Sequence, residues 1–389
     1  MNVKKHIITS ILLLVLTATS FVFLLNFLNN AESQFPEIAQ VNYNMSSGEA
    51  PASVEVINKL SQRLSSKSMS FTSEAEVTKV KDVDVLPVYT THSMLDLYDW
   101  NLSGESFTED DVTKGVKKAI ISDTLALKLY FNTDVIGKEF IINGEDYIVS
   151  GVYENSTKLI NKLSKDGKER IYIPYTCADS PETLPIHTIV YDTKSSSAPI
   201  IEQMNLPQYH FTDLSEKSKV IETFEHIAFF IMFMGLCVVM IYLWFKLCKR
   251  FLTDIRDNLK EHYFFKSLLS VPLKYALLTV VGVGIPALLL LIFLKSDFSI
   301  YIVAKYIPYD NLFDIEHYIN CIVDNAHYMN NLSLIGDTYL PNLYENSFSV
   351  VAWLTLLFFV LFVLLVANVF YIEKKLIKSC ALKHYNGKF

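Results

Sequence analysis

The 389 residues contain no Walker A phosphate loop, no HExxH and no GxSxG. Those patterns would place backbone amides around a phosphate, two zinc-binding imidazoles on one helix face, or a serine on a strained strand-to-helix turn. Without them the chain has no recognisable ATPase, metalloprotease or serine-hydrolase centre. A Gly-rich dinucleotide loop is missing as well. The nine histidines are scattered, with His92, His187 and His210 each standing alone. Cysteine is scarce, and the five present show no CxxC or Cys/His spacing that would hold a metal. The chain is therefore expected to be no enzyme and to hold no cofactor or metal of its own.

Charge is missing in a patterned way. Four blocks carry no charged residue: Ile7–Leu28, Ile227–Phe245, Ala276–Leu294 and Val350–Phe370. Each approaches or exceeds the ~20 apolar residues needed to cross a hydrocarbon core, where the backbone must satisfy its own hydrogen bonds as a helix. The first block outlasts the ~7–15 residues of a signal-peptide core and ends in no small-x-small cleavage site, so it is read as a retained helix. With no ionisable residue inside any of the four, a proton- or ion-coupled carrier built by this chain alone is disfavoured.

What charge there is sorts by side. The N-terminus (Lys4, Lys5), the stretch between the second and third blocks and the tail after the fourth hold 14 of the 34 Lys and Arg but 4 of the 41 Asp and Glu. Basic residues in short loops mark the cytoplasmic face, and all three segments agree. The predicted order is then residues 1–28, cytoplasmic N-terminus and first helix; 29–223, an extracytoplasmic domain with a helical stalk from 213; 224–247, second helix; 248–274, cytoplasmic loop. There follow 275–294, third helix; 295–348, a second outer segment; 349–371, fourth helix; and 372–389, a cytoplasmic tail. The fold class is thus a membrane protein of four transmembrane α-helices with an α+β domain between the first two. The outer cysteines, Cys177 and Cys321, are the candidate disulfide; nothing in their spacing fixes a bond, and the reading that leaves both free is preferred.

Within the large outer segment, Asn29–Gly48 is polar and reads as a linker. Val54, Ile57, Leu60 and Leu64 recur at helical spacing. Strands are predicted at Ala75–Val80, Val83–Thr91, Lys118–Ser122, Arg170–Pro174, His187–Tyr191 and Gln208–Phe211. Short helices are predicted at Asp123–Phe131, with Asp123 near its cap, and around Ala198–Met204. In KEFIINGEDYIVSGVY (Lys138–Tyr153), Asn143-Gly144 lies between two alternating apolar runs and predicts a hairpin with a type I′ turn. Asp213-Leu-Ser-Glu216 has capping-box spacing, and from there to Phe245 only Gly235 interrupts a helical pattern. The second outer segment holds seven tyrosines, which suit either a membrane interface or a cap on the larger domain. Four N-x-[ST] sequons (Asn44, Asn101, Asn155, Asn331) read as chance matches.

Two stretches carry a family likeness. LDLYDWNLSGESFTEDDV (Leu95–Val112) and VKKAIISDTLALKLYFNTDVIGKEFIINGEDYIVSGVY (Val116–Tyr153), with Ile136-Gly137-Lys138 and Val149-Ser150-Gly151-Val152, resemble the extracytoplasmic core of MacB/FtsX-type ABC transporter permeases. The helix–domain–three-helix order is similar too. The resemblance implies a permease that couples a separate cytoplasmic ABC ATPase, which binds the ATP, to an extracytoplasmic domain. A second permease, as homo- or heterodimer, membrane lipid and an extracytoplasmic accessory protein are the implied partners; no nucleic-acid partner is expected. Docking of the ATPase would fall on Arg256, Lys260, Phe264, Phe265 and Lys266, although RDNLKEHYFFKSLLSVPLKY (Arg256–Tyr275) departs from the family's coupling-helix pattern. The implied cargo is a peptide, lipid or antimicrobial compound. The alternative is a non-transporting signalling or scaffold protein that binds an envelope partner such as a wall hydrolase.

Overall fold

The computed structural model describes residues 3–32, 34–64, 69–155, 158–193, 206–261, 272–296, 298–332 and 338–386. They fall into two compact units: Asn30–Ile221 with Ile302–Val350, and Met1–Asn29 with Glu222–Tyr301 and Val351–Phe389.

The first unit is built on one mixed sheet. After helix α1 (Val3–Glu32) come β1 (Ile38–Tyr43), α2 (Val54–Leu64), β2 (Met69–Glu74), β3 (Thr78–Val80) and β4 (Val83–Thr90). Next are α3 (Met94–Tyr98), β5 (Leu102–Gly104), α4 (Glu109–Lys114), β6 (Lys118–Ser122) and α5 (Asp123–Tyr130). The hairpin β7 (Glu139–Ile142) and β8 (Glu145–Tyr153), then α6 (Leu159–Ser164), β9 (Glu169–Pro174), β10 (Thr188–Asp192) and β11 (Tyr209–Asp213) complete it. The strand order is β11-β1-β10-β2-β4-β9-β6-β8-β5, with β3 beside β4 and β7 beside β8. Pairs β4–β9 and β6–β8 are parallel, the other ladders antiparallel.

Two apolar clusters hold it together. Ala119, Ile121, Leu125, Val149, Ile171 and Ile173 pack α5 against the β6–β8–β9 end. Ala39, Val41, Ile57, Phe71 and Ile189 pack α2 against the β1–β10–β2 end. The predicted hairpin is present: Asn143 (φ 51) and Gly144 (φ 85) take the positive angles its turn needs. At α5 the cap is Ser122, the residue before Asp123, its side chain accepting from the Leu125 amide at 3.0 Å.

Residues read as a linker form β1, flanked on both sides by β10 and β11. Gln40 and Asn42 are fully buried there together with Ala39 and Val41, so the strand is covered on both faces and shows no polar-out alternation. Of the strand expected at Ala75–Val80 only Thr78–Val80 is strand; Met69–Glu74, not anticipated, is a separate strand before it. The helix expected around Ala198–Met204 lies outside the described residues.

The second unit is helical. Helix α7 runs Leu214–Glu261, α8 Pro272–Lys295, and, after α9 (Ile315–Asn331) of the sheet unit, α10 runs Tyr339–Asn386. Among the described residues three helices, α1, α7 and α10, are long and apolar enough to cross a membrane; α8 contributes a shorter described apolar stretch, Thr279–Lys295. Both α7 and α10 are 48 residues long, far beyond a single span. The segment expected to begin as a loop at 248 therefore continues as helix to Glu261.

Gly104 (φ +100) pairs with Gly151 across the β5–β8 ladder, and a Cβ there would collide with the Ser150 carbonyl oxygen. Gly104→Ala is expected to lower unfolding stability by at least ~1–3 kcal/mol, read as a drop in the melting temperature of the detergent-solubilised protein.

Candidate functional site

The joint between sheet and helix is made at Asp213. Its Oδ1 accepts from the Glu216 amide at 3.1 Å and from Ser215 Oγ at 2.8 Å, which caps α7 at the last residue of β11. Leu214 and Ile221, fully buried, fix the first turns. From there α7 is helical to Glu261.

Helix α7 is paired with α10 inside each unit. In the sheet unit Lys217 Nζ lies 3.6 Å from the Glu345 carboxylate and stands over the rings of Tyr344 (4.3 Å) and Tyr328 (5.4 Å). Tyr328 in turn stacks on His210 of β11, centroids 4.5 Å apart. Burial, with Lys217 and Lys305 adding repulsion, pushes the His210 imidazole down to about 4, so it stays neutral against its cationic neighbour. The second outer segment also grips α6: Asn161 Nδ2 donates to Tyr339 Oη at 2.9 Å, and Asn346 Nδ2 donates to Ser164 Oγ at 3.0 Å. Its tyrosines thus serve, in part, as packing for the sheet unit.

In the helical unit the same two helices meet again. Any Cβ at Gly235 of α7 would overlap the ring of Phe362 on α10. Tyr242 packs edge-on against Phe370 at 5.0 Å, and Lys246 Nζ reaches the Glu373 carboxylate at 2.5 Å. Helix α8 joins through Trp244 Nε1, which donates to the Gly282 carbonyl at 3.2 Å. Helix α1 joins through Phe21, set between Phe229 (5.6 Å) and Phe358 (5.2 Å), and through Asn368 Nδ2, which donates to Ser10 Oγ at 2.9 Å.

Of the residues picked out for ATPase docking, Arg256 and Lys260 are exposed near the end of α7, Lys260 bridging to Asp257 at 2.8 Å. Phe264, Phe265 and Lys266 lie outside the described residues. Cys177 and Cys321 are free thiols. Cys177 packs on the α5-side cluster with Sγ 3.6 Å from the Val116 carbonyl, and Cys321 Sγ is 3.5 Å from the Lys305 carbonyl. Sequence reasoning missed Lys217 and Glu345. A lone lysine directly after a capping box carries no signal of a partner 128 positions away.

The profile of the MacB-like periplasmic core domain matches residues 7–203, half of the chain. The chain belongs to that family. It is accordingly a membrane protein carrying the periplasmic-type domain of ABC transporter permeases. The periplasmic region of MacB from Actinobacillus actinomycetemcomitans is similar at 15% identity, covering 51% of this chain and 98% of that one with a TM-score of 0.40. The extracellular domain of the noncanonic ABC-type transporter YknZ from Gram-positive bacteria is similar at 20% identity, over 44% and 90%, with a TM-score of 0.34. No curated protein matches the chain.

Two outcomes are expected at the joint. Glu345→Ala should cost about 2 kcal/mol, less than the ~3–5 of a fully enclosed pair, and Lys217→Met with Glu345→Leu should recover most of it in a double-mutant cycle of thermal stability. His210 is held below its unfolded value of 6.5, so the unfolded chain binds more protons between about 4 and 6.5. Stability is then full above that window and falls as pH drops through it; His210→Gln should flatten that part of the profile.

Proposed function

We propose that this chain is the permease subunit of an ABC transporter. A separate cytoplasmic ATPase binds and hydrolyses ATP, docks on the basic end of α7 around Arg256 and Lys260, and thereby moves the extracytoplasmic domain. Both termini face the cytoplasm, and a second permease completes the assembly. The cargo class is a peptide, lipid or antimicrobial compound.

The observation that carries this reading is the unbroken α7. The chain runs as helix from the cap on β11 to exposed basic side chains, with no loop along it to absorb a displacement applied at Arg256 and Lys260. Pairing with α10 adds stiffness, since two packed helices bend less readily than one. Family membership supplies the ATPase as the source of motion.

Purification of the full chain from native membrane is expected to bring down a cytoplasmic ABC ATPase. The double variant Arg256→Glu, Lys260→Glu should reduce its recovery roughly tenfold, as reversal of charges at an interface does, with the melting temperature unchanged. Absence of any ATPase from the wild-type material would sink the proposal. Recovery of an envelope hydrolase without an ATPase would favour the non-transporting scaffold instead.

A further inference from the structure

The sheet unit contains a cavity of about 340 Å³ that no step of the coupling reading uses. It is bounded by the α3–β5 turn, the end of β8, α6 with the loop into β9, and the first turn of α10. Its size falls within the ~300–1,000 Å³ of sites for small molecules.

One wall is aromatic. Trp100 lies flat on Tyr153, centroids 4.5 Å apart and planes 20° from parallel, and meets Tyr172 edge-on at 5.2 Å. Tyr98 closes the cluster at 5.2 Å from Trp100. Such a wall offers wide, rigid, apolar surface to a flat partner at little entropic cost.

Several of the charges around it are paired within the protein. Arg170 is bridged to Asp166 at 2.7 Å and to Glu74 at 3.2 Å, and Glu169 to Lys128 at 2.6 Å. Glu154 accepts from Asn101 at 2.9 Å. Lys165 and Lys168 border the same space as Asp99 and Glu154, so neither a cation nor an anion finds a field of one sign. A neutral ligand fits best.

Amide groups set its polarity. Asn161 is only 3% exposed, lines the cavity, donates through Nδ2 to Tyr339 Oη, and leaves Oδ1 with no partner. Gln34, also lining, leaves Oε1 in the same state. Unpartnered buried acceptors each cost ~1–3 kcal/mol until a donor arrives. The ligand must therefore be neutral, rich in hydroxyl donors and flat enough on one face to lie on Trp100 and Tyr153.

We propose that this cavity binds a neutral saccharide of one or two pyranose rings. The C–H face of a ring packs on the Trp100–Tyr153 wall, and its hydroxyls donate to Asn161 Oδ1 and Gln34 Oε1 once those amides turn toward the cavity. The site is independent of ATPase docking, so either can fail alone.

The full-length protein, in a detergent without a sugar headgroup, is titrated with cellobiose, maltose and N,N′-diacetylchitobiose. Glucose 6-phosphate and glucosamine serve as charged probes, and binding is followed by saturation-transfer NMR. At least one neutral disaccharide is expected to bind in preference to both charged sugars. Trp100→Gln and, separately, Asn161→Leu should each weaken it roughly tenfold, while Trp100→Phe retains part of the affinity and the surface variant Phe131→Ala leaves it unchanged. Melting curves without sugar identify which variants are folded, and Trp100→Phe and Asn161→Leu stand in if Trp100→Gln is not. Absence of binding by all three disaccharides, preference for a charged probe, or affinity unaltered in folded Trp100→Gln or Asn161→Leu would each overturn the assignment.

Discussion

Phe362 occupies the place where a side chain at position 235 would be. Lipid tails are as apolar as the helices they surround, so helices in a bilayer gain little from hydrophobic burial and rely on close packing and on polar contacts between them. Gly235 is where α7 gives up a side chain to obtain that packing. The Phe362 ring continues to Phe358, 5.9 Å away and 1% exposed, and from there to Phe21 on α1. One run of rings thus ties three helices together. The polar pairs at its flanks, Lys246–Glu373 and Asn368–Ser10, fix the register of helices whose remaining surface is Leu, Val, Ile and Phe exposed as a lipid-facing surface would be.

Much of this was legible in the chain itself, for identifiable reasons. Asn143-Gly144 has few alternatives to its turn, and Lys118–Ser122 is a short apolar run, so both are legible to within a residue. Helix α2 announced itself by a period of three to four. Strand β1 did not, because Gln40 and Asn42 are buried inside the sheet and a strand covered on both faces has no polar side to display. A search for apolar blocks also stops at the first charge, whereas a helix does not. Lys246, Arg250 and Arg256 are all within α7, and the reach of that helix to Glu261 was missed for this reason. Helix α9, Ile315–Asn331, with mixed polarity, was passed over in the same way.

The cavity and the Lys217 joint illustrate a different limit. Each depends on residues brought together from distant parts of the chain: Asn161 with Tyr339, Lys217 with Glu345, Trp100 with Tyr153 and Tyr172. Aromatic and amide residues are common in outer segments, and only the sheet order, which places β8 beside β6 and β6 beside β9, assembles them. Their types were visible, their adjacency was not.

The sheet unit is also discontinuous in sequence, and this bears on how the protein is made. Residues Ile302–Val350 belong to the same compact body as Asn30–Ile221, yet they leave the ribosome only after α7 and α8 have been synthesised. The bond from Asn161 to Tyr339 spans 178 positions, with α7 and α8 between them. Until the later segment is delivered, α6 has an uncovered face and Lys217 has no carboxylate. Completion of the sheet unit therefore waits on synthesis of α8 and the segment after it, and a chain stalled before then leaves Asn161, Ser164 and Lys217 without those partners. Assembly order becomes a checkpoint written into the topology.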